Sequence, residues 1–251
     1  MAQSILETQG LVREFGRFRA VDGVNLRVAD GAIHGLIGPN GAGKTTCFNL
    51  LSKFLDPTEG SIRFQGRDIT GMRPADVARL GLVRSFQISA VFSHLSVLDN
   101  LRIALARRDG ESAYAFWRSE KRLGRHDDRA RELLEDVGLA GEEATVAVTL
   151  PYGQKRALEL ATTLALEPTM LLLDEPTAGM GYEEIERITA LIRRIQAGRT
   201  ILMVEHNLSV VAGLCSTITV LTRGRVLAEG DYATVAGNPD VVAAYLGTEH
   251  A

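Results

Sequence analysis

The chain has 251 residues, 45% hydrophobic and 24% charged, which suits one or two compact domains and is unlike a disordered segment. Its 28 Lys and Arg against 31 Asp and Glu give a formal net charge of −3, which excludes a chain that wraps nucleic acid by overall charge. No apolar run approaches the ~18 residues of a membrane-spanning helix. Met1 to Phe15 lack the apolar stretch of a secretory signal, and Cys47 and Cys215 form neither a metal-ligand spacing nor a disulfide framework. The expectation is a reduced, cytoplasmic chain that serves any membrane from outside the bilayer.

In chain order, Ile33 to Ile37 is a short apolar strand, followed by a glycine-rich loop from Gly38 to Gly43. A helix comes next, on which Cys47, Phe48, Leu50, Leu51, Phe54 and Leu55 recur at helical spacing as one buried face. Asp56-Pro57 is its expected stop, because proline disfavours a helical residue before it. From Val97 to Val148 the pattern is helical and arginine-rich, holds Trp117 and contains no strong strand, so it reads as a helical subdomain inserted into an α/β core. Met170 to Leu173 and Ile201 to Val204 are continuously apolar, as strands covered on both faces are, and a helix from Tyr182 to Gln196 lies between them. Ile218 to Leu221 and Val226 to Glu229 flank Arg223-Gly224-Arg225 as a hairpin. Strand, helix, strand alternation implies a mostly parallel sheet with helices on its faces.

Gly38-Pro39-Asn40-Gly41-Ala42-Gly43-Lys44-Thr45 fits the phosphate-binding pattern G-x-x-x-x-G-K-[ST]. Glycines let the backbone curl so that successive N–H groups point at an anion, and the following helix aims its positive end at the same place. Lys44 supplies a mobile charge for the outer phosphates, and the Thr45 hydroxyl suits Mg²⁺. The strand Met170 to Leu173 ends in Asp174-Glu175. Asp174 suits Mg²⁺ held through its water shell, and Glu175 suits an acceptor for the proton of an attacking water. Together these two motifs indicate a P-loop NTPase.

Further residues narrow the class. Leu150-Pro151-Tyr152-Gly153-Gln154 stands where ABC ATPases carry an LSGGQ signature, Gln87 matches their Q-loop glutamine, His206 their switch histidine, and Phe15 their adenine-stacking aromatic. The chain resembles the ABC ATPase family over essentially its whole length. The resemblance implies an α/β P-loop NTPase core with a mostly parallel sheet, an N-terminal antiparallel β subdomain and a helical subdomain inserted at approximately residues 95–155, all within a single domain spanning 1–251. It also implies two cassettes packed head to tail around two ATP molecules with Mg²⁺. In each site Phe15, Gly38, Pro39, Asn40, Gly41, Ala42, Gly43, Lys44, Thr45, Thr46 and Gln87 hold nucleotide. Tyr152, Gly153 and Gln154 reach the nucleotide of the opposite subunit. Thr45, Gln87 and Asp174 serve the metal, and Glu175, His206, Gln87 and Lys44 serve hydrolysis.

The signature with Lys155-Arg156, the run from Asp174 to Met180, the long segment from Gln87 to Leu150 and the ending Ala244-Tyr245-Leu246-Gly247 look like the larger ATPase of branched-chain amino acid type importers. That resemblance implies a second ATPase subunit (different or identical), two membrane permeases, indirectly a periplasmic solute-binding protein, and a place on the inner face of the cytoplasmic membrane. Related systems carry urea, amides or aromatic acids. An exporter cassette and a non-transport ABC ATPase are the alternatives, although the chain has no long coiled coil and only one cassette. Two departures stand out: Pro151 replaces the signature serine, and Gly181 stands where many relatives carry an acid or amide. Proline fits the first turn of a helix, because its fixed φ is already helical and a first-turn N–H has no partner within the helix, so Pro151 reads as a stiff helix start. Arg102, Arg107, Arg108, Arg118, Lys121, Arg122, Arg125, Arg129 and Arg131 are interspersed with acids and read as a solvated face, with no nucleic-acid partner.

Overall fold

The computed structural model describes residues 3–85, 91–109 and 124–246. Its strands are β1 (Ser4–Phe15), β2 (Phe18–Val24), β3 (Arg27–Ala29), β4 (Ile33–Ile37), β5 (Glu59–Phe64), β6 (Arg67–Asp68), β7 (Leu82–Arg84), β8 (Met170–Asp174), β9 (Thr200–Val204), β10 (Thr217–Thr222) and β11 (Arg225–Gly230). Its α-helices are α1 (Lys44–Leu51), α2 (Pro74–Arg79), α3 (Val97–Arg108), α4 (Asp127–Asp136), α5 (Tyr152–Leu164), α6 (Tyr182–Ile195), α7 (Leu208–Leu214), α8 (Tyr232–Ala236) and α9 (Pro239–Leu246). The chain divides into two compact units, one of Met1–Arg84, Thr169–Thr177 and Gln196–Ala251, the other of Ser85–Pro168 and Ala178–Ile195.

The first unit holds every described strand, in two sheets. An antiparallel sheet runs β2-β1-β5-β6, with β3 also paired to β1. The other runs β11-β10-β4-β9-β8-β7; β10, β4, β9, β8 and β7 are parallel and β11 turns back antiparallel. β4, β8 and β9 are buried at every residue, as strands covered on both faces must be, which explains their unbroken apolar runs. The core between the sheets takes Leu6, Leu11 and Ile62 from the first, Leu36, Leu172 and Leu202 from the second, and Phe48 and Leu51 from α1. Helix α1 ends at Leu51, earlier than Asp56-Pro57 predicts, because Lys53 turns to a left-handed φ of 62°. Phe54 therefore leaves the apolar face and is 51% exposed.

The helices and turns of the second unit include no described strand, only an isolated bridge between Ser96 and Val146. α3 packs on α4 and α5, and α5 on α6, burying Leu101, Leu105, Leu133, Leu158 and Ile192. Ser96 starts α3 by accepting the Asp99 N–H. The described basic residues largely face acids: Arg102 meets Asp99 and Asp127, Arg108 meets Glu167, and Arg129 meets Glu132. Among the described residues no helix is long and apolar enough to cross a membrane.

Candidate active site

Three neighbouring parallel strands, β4, β9 and β8, finish level with one another: Leu36 pairs with Val204, and Val204 with Asp174. Open parallel sheets bind ligands at this carboxyl edge. The loop after β4 carries Gly38 to Gly43, the loop after β8 carries Glu175 to Thr177, and the loop after β9 carries Glu205 to Asn207.

The glycines of the first loop are dictated by space. A Cβ on Gly43, at φ 100°, would lie 2.3 Å from the Ala20 carbonyl oxygen, and one on Gly38, at φ 151°, 2.2 Å from that of Leu221. The loop is braced by the β10–β11 turn, whose Gly224 donates its N–H to the Ala42 carbonyl at 2.9 Å. Helix α1 begins directly behind it with no side-chain cap and no acid in its first turn. Its leading amides have no partner within the helix, so they are donors suited to an anion. Pro39 and Asn40 form the rim of the loop, and Thr45 and Thr46 open the helix with Thr45 exposed.

Lys44 bends back, and its Nζ donates to the carbonyls of Gly38 at 2.7 Å and Pro39 at 3.0 Å. Burial lowers its pKa, while the carboxylates of Glu175 and Asp174 oppose that shift. The donor set fits a polyphosphate: helix amides, one ammonium and one threonine hydroxyl converge with no opposing carboxylate in the loop itself.

Asp174 is buried and accepts from Arg84 Nη2 at 2.5 Å; Arg84 Nη1 donates to Asn49 Oδ1 at 2.6 Å, and the guanidinium lies 5.8 Å from the Phe48 ring centroid. The Asp174 carboxylate and the Thr45 hydroxyl are oxygen donors of the hard kind that Mg²⁺ takes, and Arg84 occupies only one carboxylate oxygen, Oδ2. Glu175 has φ 46° and donates its N–H to the Val204 carbonyl at 2.9 Å. Its Oε1 lies 2.9 Å from His206 Nε2. Thus Lys44, Thr45, Asp174, Glu175 and His206 come together at one sheet edge. Gln87 lies outside the described residues.

Phe15 is 46% exposed at the β1–β2 turn, so it is not a core aromatic. The Arg13 guanidinium sits 4.7 Å from its ring centroid, and Phe18 is its cross-strand partner. Its free face suits a planar base.

In the helical unit, Pro151 is the N-cap of α5, with φ −56° and ψ 157°, one residue ahead of the first turn in which a proline is expected. Its extended ψ is that of a chain entering a helix, and its carbonyl accepts from Lys155 at 3.0 Å. Proline offers no side-chain cap, so the amides of Gly153 and Gln154 stay available as donors. The Tyr152 hydroxyl donates to the Ala178 carbonyl at 3.2 Å, and a Cβ on Gly153 would meet Glu184 Oε1 at 3.1 Å. Gly181 donates its N–H to Glu184 Oε2 at 3.2 Å, just ahead of α6.

Three residues near the nucleotide loops escape motif reading. Arg84 ends β7 without any spacing signal. Tyr245 of α9 hydrogen-bonds the Gly38 backbone, and burial raises its pKa. Glu205 is a buried carboxylate between two loops, visible in sequence only as the residue before His206. Burial together with the charge of Glu205 pushes the Cys215 thiol up to about 12, which makes it an inert core group.

Residues 21–178 match the family model described as ABC transporter, and residues 225–251 match the one described as branched-chain amino acid ATP-binding cassette transporter. The high-affinity branched-chain amino acid transport ATP-binding protein BraF of Pseudomonas aeruginosa is 39% identical, with 98% of this chain and 99% of that protein covered. Its counterpart LivG of Escherichia coli is 37% identical over the same shares of the two chains, 98% and 99%. The crystal structure of the ADP conformation of MJ1267, an ATP-binding cassette of an ABC transporter, superposes with a TM-score of 0.85 at 31% identity, covering 98% of this chain and 100% of that one. The chain belongs to the ABC transporter family, as one of its nucleotide-binding, ATP-hydrolysing subunits.

Proposed function

We propose that this subunit powers import of branched-chain amino acids, or of a related small polar solute, from the inner face of the cytoplasmic membrane. It works as a single ATPase domain, with a helical segment inserted at approximately 95–155, against two permeases and a second cassette, identical or different; a periplasmic binding protein delivers the solute. The observation that carries the ATPase mechanism is the convergence of three strand ends, with Glu175 Oε1 2.9 Å from His206 Nε2 beside the Lys44 loop. The solute class rests on the similarity of the C-terminal segment and of the named relatives to branched-chain amino acid systems.

The loop amides and Lys44 hold the phosphates of ATP, and Phe15 stacks on the base. Thr45 and Asp174, with Gln87, hold Mg²⁺, which neutralises phosphate charge when bound. Glu175 accepts the proton of the water whose oxygen attacks the γ-phosphorus as the bond to ADP breaks. His206 orients Glu175. Gly153 and Gln154 of the opposite cassette present helix-start amides to the same phosphate, so ATP joins the pair and hydrolysis releases it.

Glu175→Gln preserves shape and removes the base. The expected outcome is retained Mg-ATP binding, loss of hydrolysis and an ATP-bound dimer on sizing chromatography. Wild-type hydrolysis in this variant would remove Glu175 from the mechanism. For the solute, cells lacking this chain are expected to lose uptake of labelled leucine, isoleucine and valine and to regain it with the wild-type gene; unchanged uptake overturns the solute class.

A further inference from the structure

We infer that Glu205 is a positioning residue for ATP hydrolysis, holding the Glu175 loop and the His206 loop in one register. Its carboxylate is 3% exposed and divides its two oxygens between the two loops. Oε1 accepts from the Thr177 N–H at 2.9 Å and from the Thr177 hydroxyl. Oε2 accepts from the His206 N–H at 2.8 Å and the Asn207 N–H at 3.1 Å.

This division matters because β8 and β9 stop at Asp174 and Val204, and sheet pairing fixes nothing beyond those residues except the Glu175 N–H bond to Val204. The Glu175–His206 contact spans the same gap farther out, between side chains that are partly exposed. Glu205 closes the gap from below. On one side it grips Thr177, which Pro176 links stiffly to Glu175 because proline fixes φ. On the other it grips the backbone of His206 itself. Asn207 then caps α7, accepting from Ser209 at 3.0 Å and Val210 at 3.3 Å, so the second loop is tied to a helix as well.

A charged acceptor is required. Each of the four groups on Glu205 can donate, and charge-assisted hydrogen bonds are about twice as strong as neutral ones. Glutamine has one acceptor oxygen and one NH₂ group, so it can serve one loop and must set a donor against the backbone N–H of the other. Glutamine at 205 would therefore let the loops part while leaving the phosphate loop and its lysine intact.

The inference rests on Glu175 and His206 acting as the hydrolytic pair, so the full-length chain is assayed for ATP hydrolysis in parallel as wild type, Glu205→Gln, Thr177→Val, the double variant, Glu175→Gln and His206→Ala. Glu205→Gln is expected to lower kcat roughly 10- to 100-fold, the range for a misplaced reactive group, with KM for ATP within about threefold. Thr177→Val, which deletes one donor, is expected to lower kcat by roughly threefold to tenfold. The double variant is expected to be no slower than Glu205→Gln alone, because the hydroxyl acts only through the carboxylate. Wild-type kcat in Glu205→Gln or in Thr177→Val, a rise in KM parallel to the fall in kcat, or additive losses in the double variant would overturn the inference. If Glu205→Gln fails to fold, Thr177→Val decides alone, with wild-type kcat overturning it. Wild-type rates in Glu175→Gln and His206→Ala would instead overturn the pair on which the inference is built.

Discussion

Arg84→Met tests how the buried acid of the site is held. The wild-type pair is almost fully enclosed: the side chains of Arg84 and Asp174 are 11% and 2% exposed, and Nη2 lies 2.5 Å from Oδ2. Methionine keeps the apolar stem beside Phe48 and removes the cation, so a carboxylate is left inside the protein without its partner. Breaking a buried pair in this way costs about 3–5 kcal/mol. Lys44, whose ammonium feels both Asp174 and Glu175, remains and compensates in part, so the lower end, ~3 kcal/mol, is expected. For a chain of this size that is a fall of roughly 6–12 °C in Tm, read by circular dichroism without nucleotide. Adding Asp174→Asn to Arg84→Met removes the stranded charge and is expected to recover most of the loss. Millimolar Mg²⁺ is expected to raise the Tm of the single variant more than that of wild type, since any ion bound at Asp174 favours the folded state. A single variant melting within about 2 °C of wild type, or a double variant no more stable than the single, would refute the argument.

Lys44→Ala is expected to weaken Mg-ATP binding greatly and to abolish hydrolysis, because helix amides alone only partly neutralise the outer phosphates; near-normal turnover would contradict it. His34 is buried with its Nε2 2.8 Å from Thr219 Oγ1, and burial lowers its pKa from 6.5 to about 4. The unfolded chain therefore binds more protons between these values, so the His34 contribution to stability is complete above pH 6.5 and falls by about 1.4 kcal/mol per pH unit as pH drops towards 4; denaturant titrations at pH 7 and pH 5 on wild type and His34→Gln check it, the variant losing less. Pro151→Ser adds a hydroxyl at the N-cap of α5 that can donate to the partner's phosphate even while it accepts from the Gly153 or Gln154 amide, and it is expected to tighten ATP-driven dimerisation by roughly 0.5–1.5 kcal/mol at the site this chain completes for its partner. Dimer affinity against a catalytically dead partner measures it, and weaker association would mean that the proline turn is the better clamp.

Strands β4, β8 and β9 were legible because burial on both faces leaves an unbroken apolar run, whereas the half-exposed β1, β2 and β5 carry no such run. Ile33 to Ile37 is β4 residue for residue, and Met170 to Leu173 is β8 short of Asp174. The phosphate loop and the acidic pair were legible for a related reason: their chemistry demands particular residues at fixed spacing. The order of the strands was not, since β9 sits between β4 and β8 in the sheet and after both in the chain. Arg84 and Glu205 were hidden by the same fact, because each matters through a neighbour distant in sequence. The helix after the phosphate loop was read too long, since Phe54 keeps the apolar period while the left-handed turn at Lys53 has already ended the helix.

The two adjacent acids, Asp174 and Glu175, show how the fold separates roles within one dipeptide. Asp174 is the last residue of a strand, so its carboxylate is enclosed by the sheet and held by Arg84. Had the chain continued as strand, Glu175 would point to the opposite face, into the layer that covers the sheet. Instead it adopts φ 46°, a conformation that costs a non-glycine residue roughly 1–2 kcal/mol. Strain of this kind persists only where surrounding contacts over-determine it. Here the Glu175 N–H continues the β8–β9 hydrogen bonding one residue past the strand, to Val204, while Thr177 is held two residues later by Glu205. The backbone is thus fixed on both sides of the turn, and the carboxylate between them is directed at His206. One carboxylate is immobilised within the sheet and the next is aimed at His206, as the proposed ligand and base roles require, and what distinguishes them is a backbone turn that the ends of two neighbouring strands enforce.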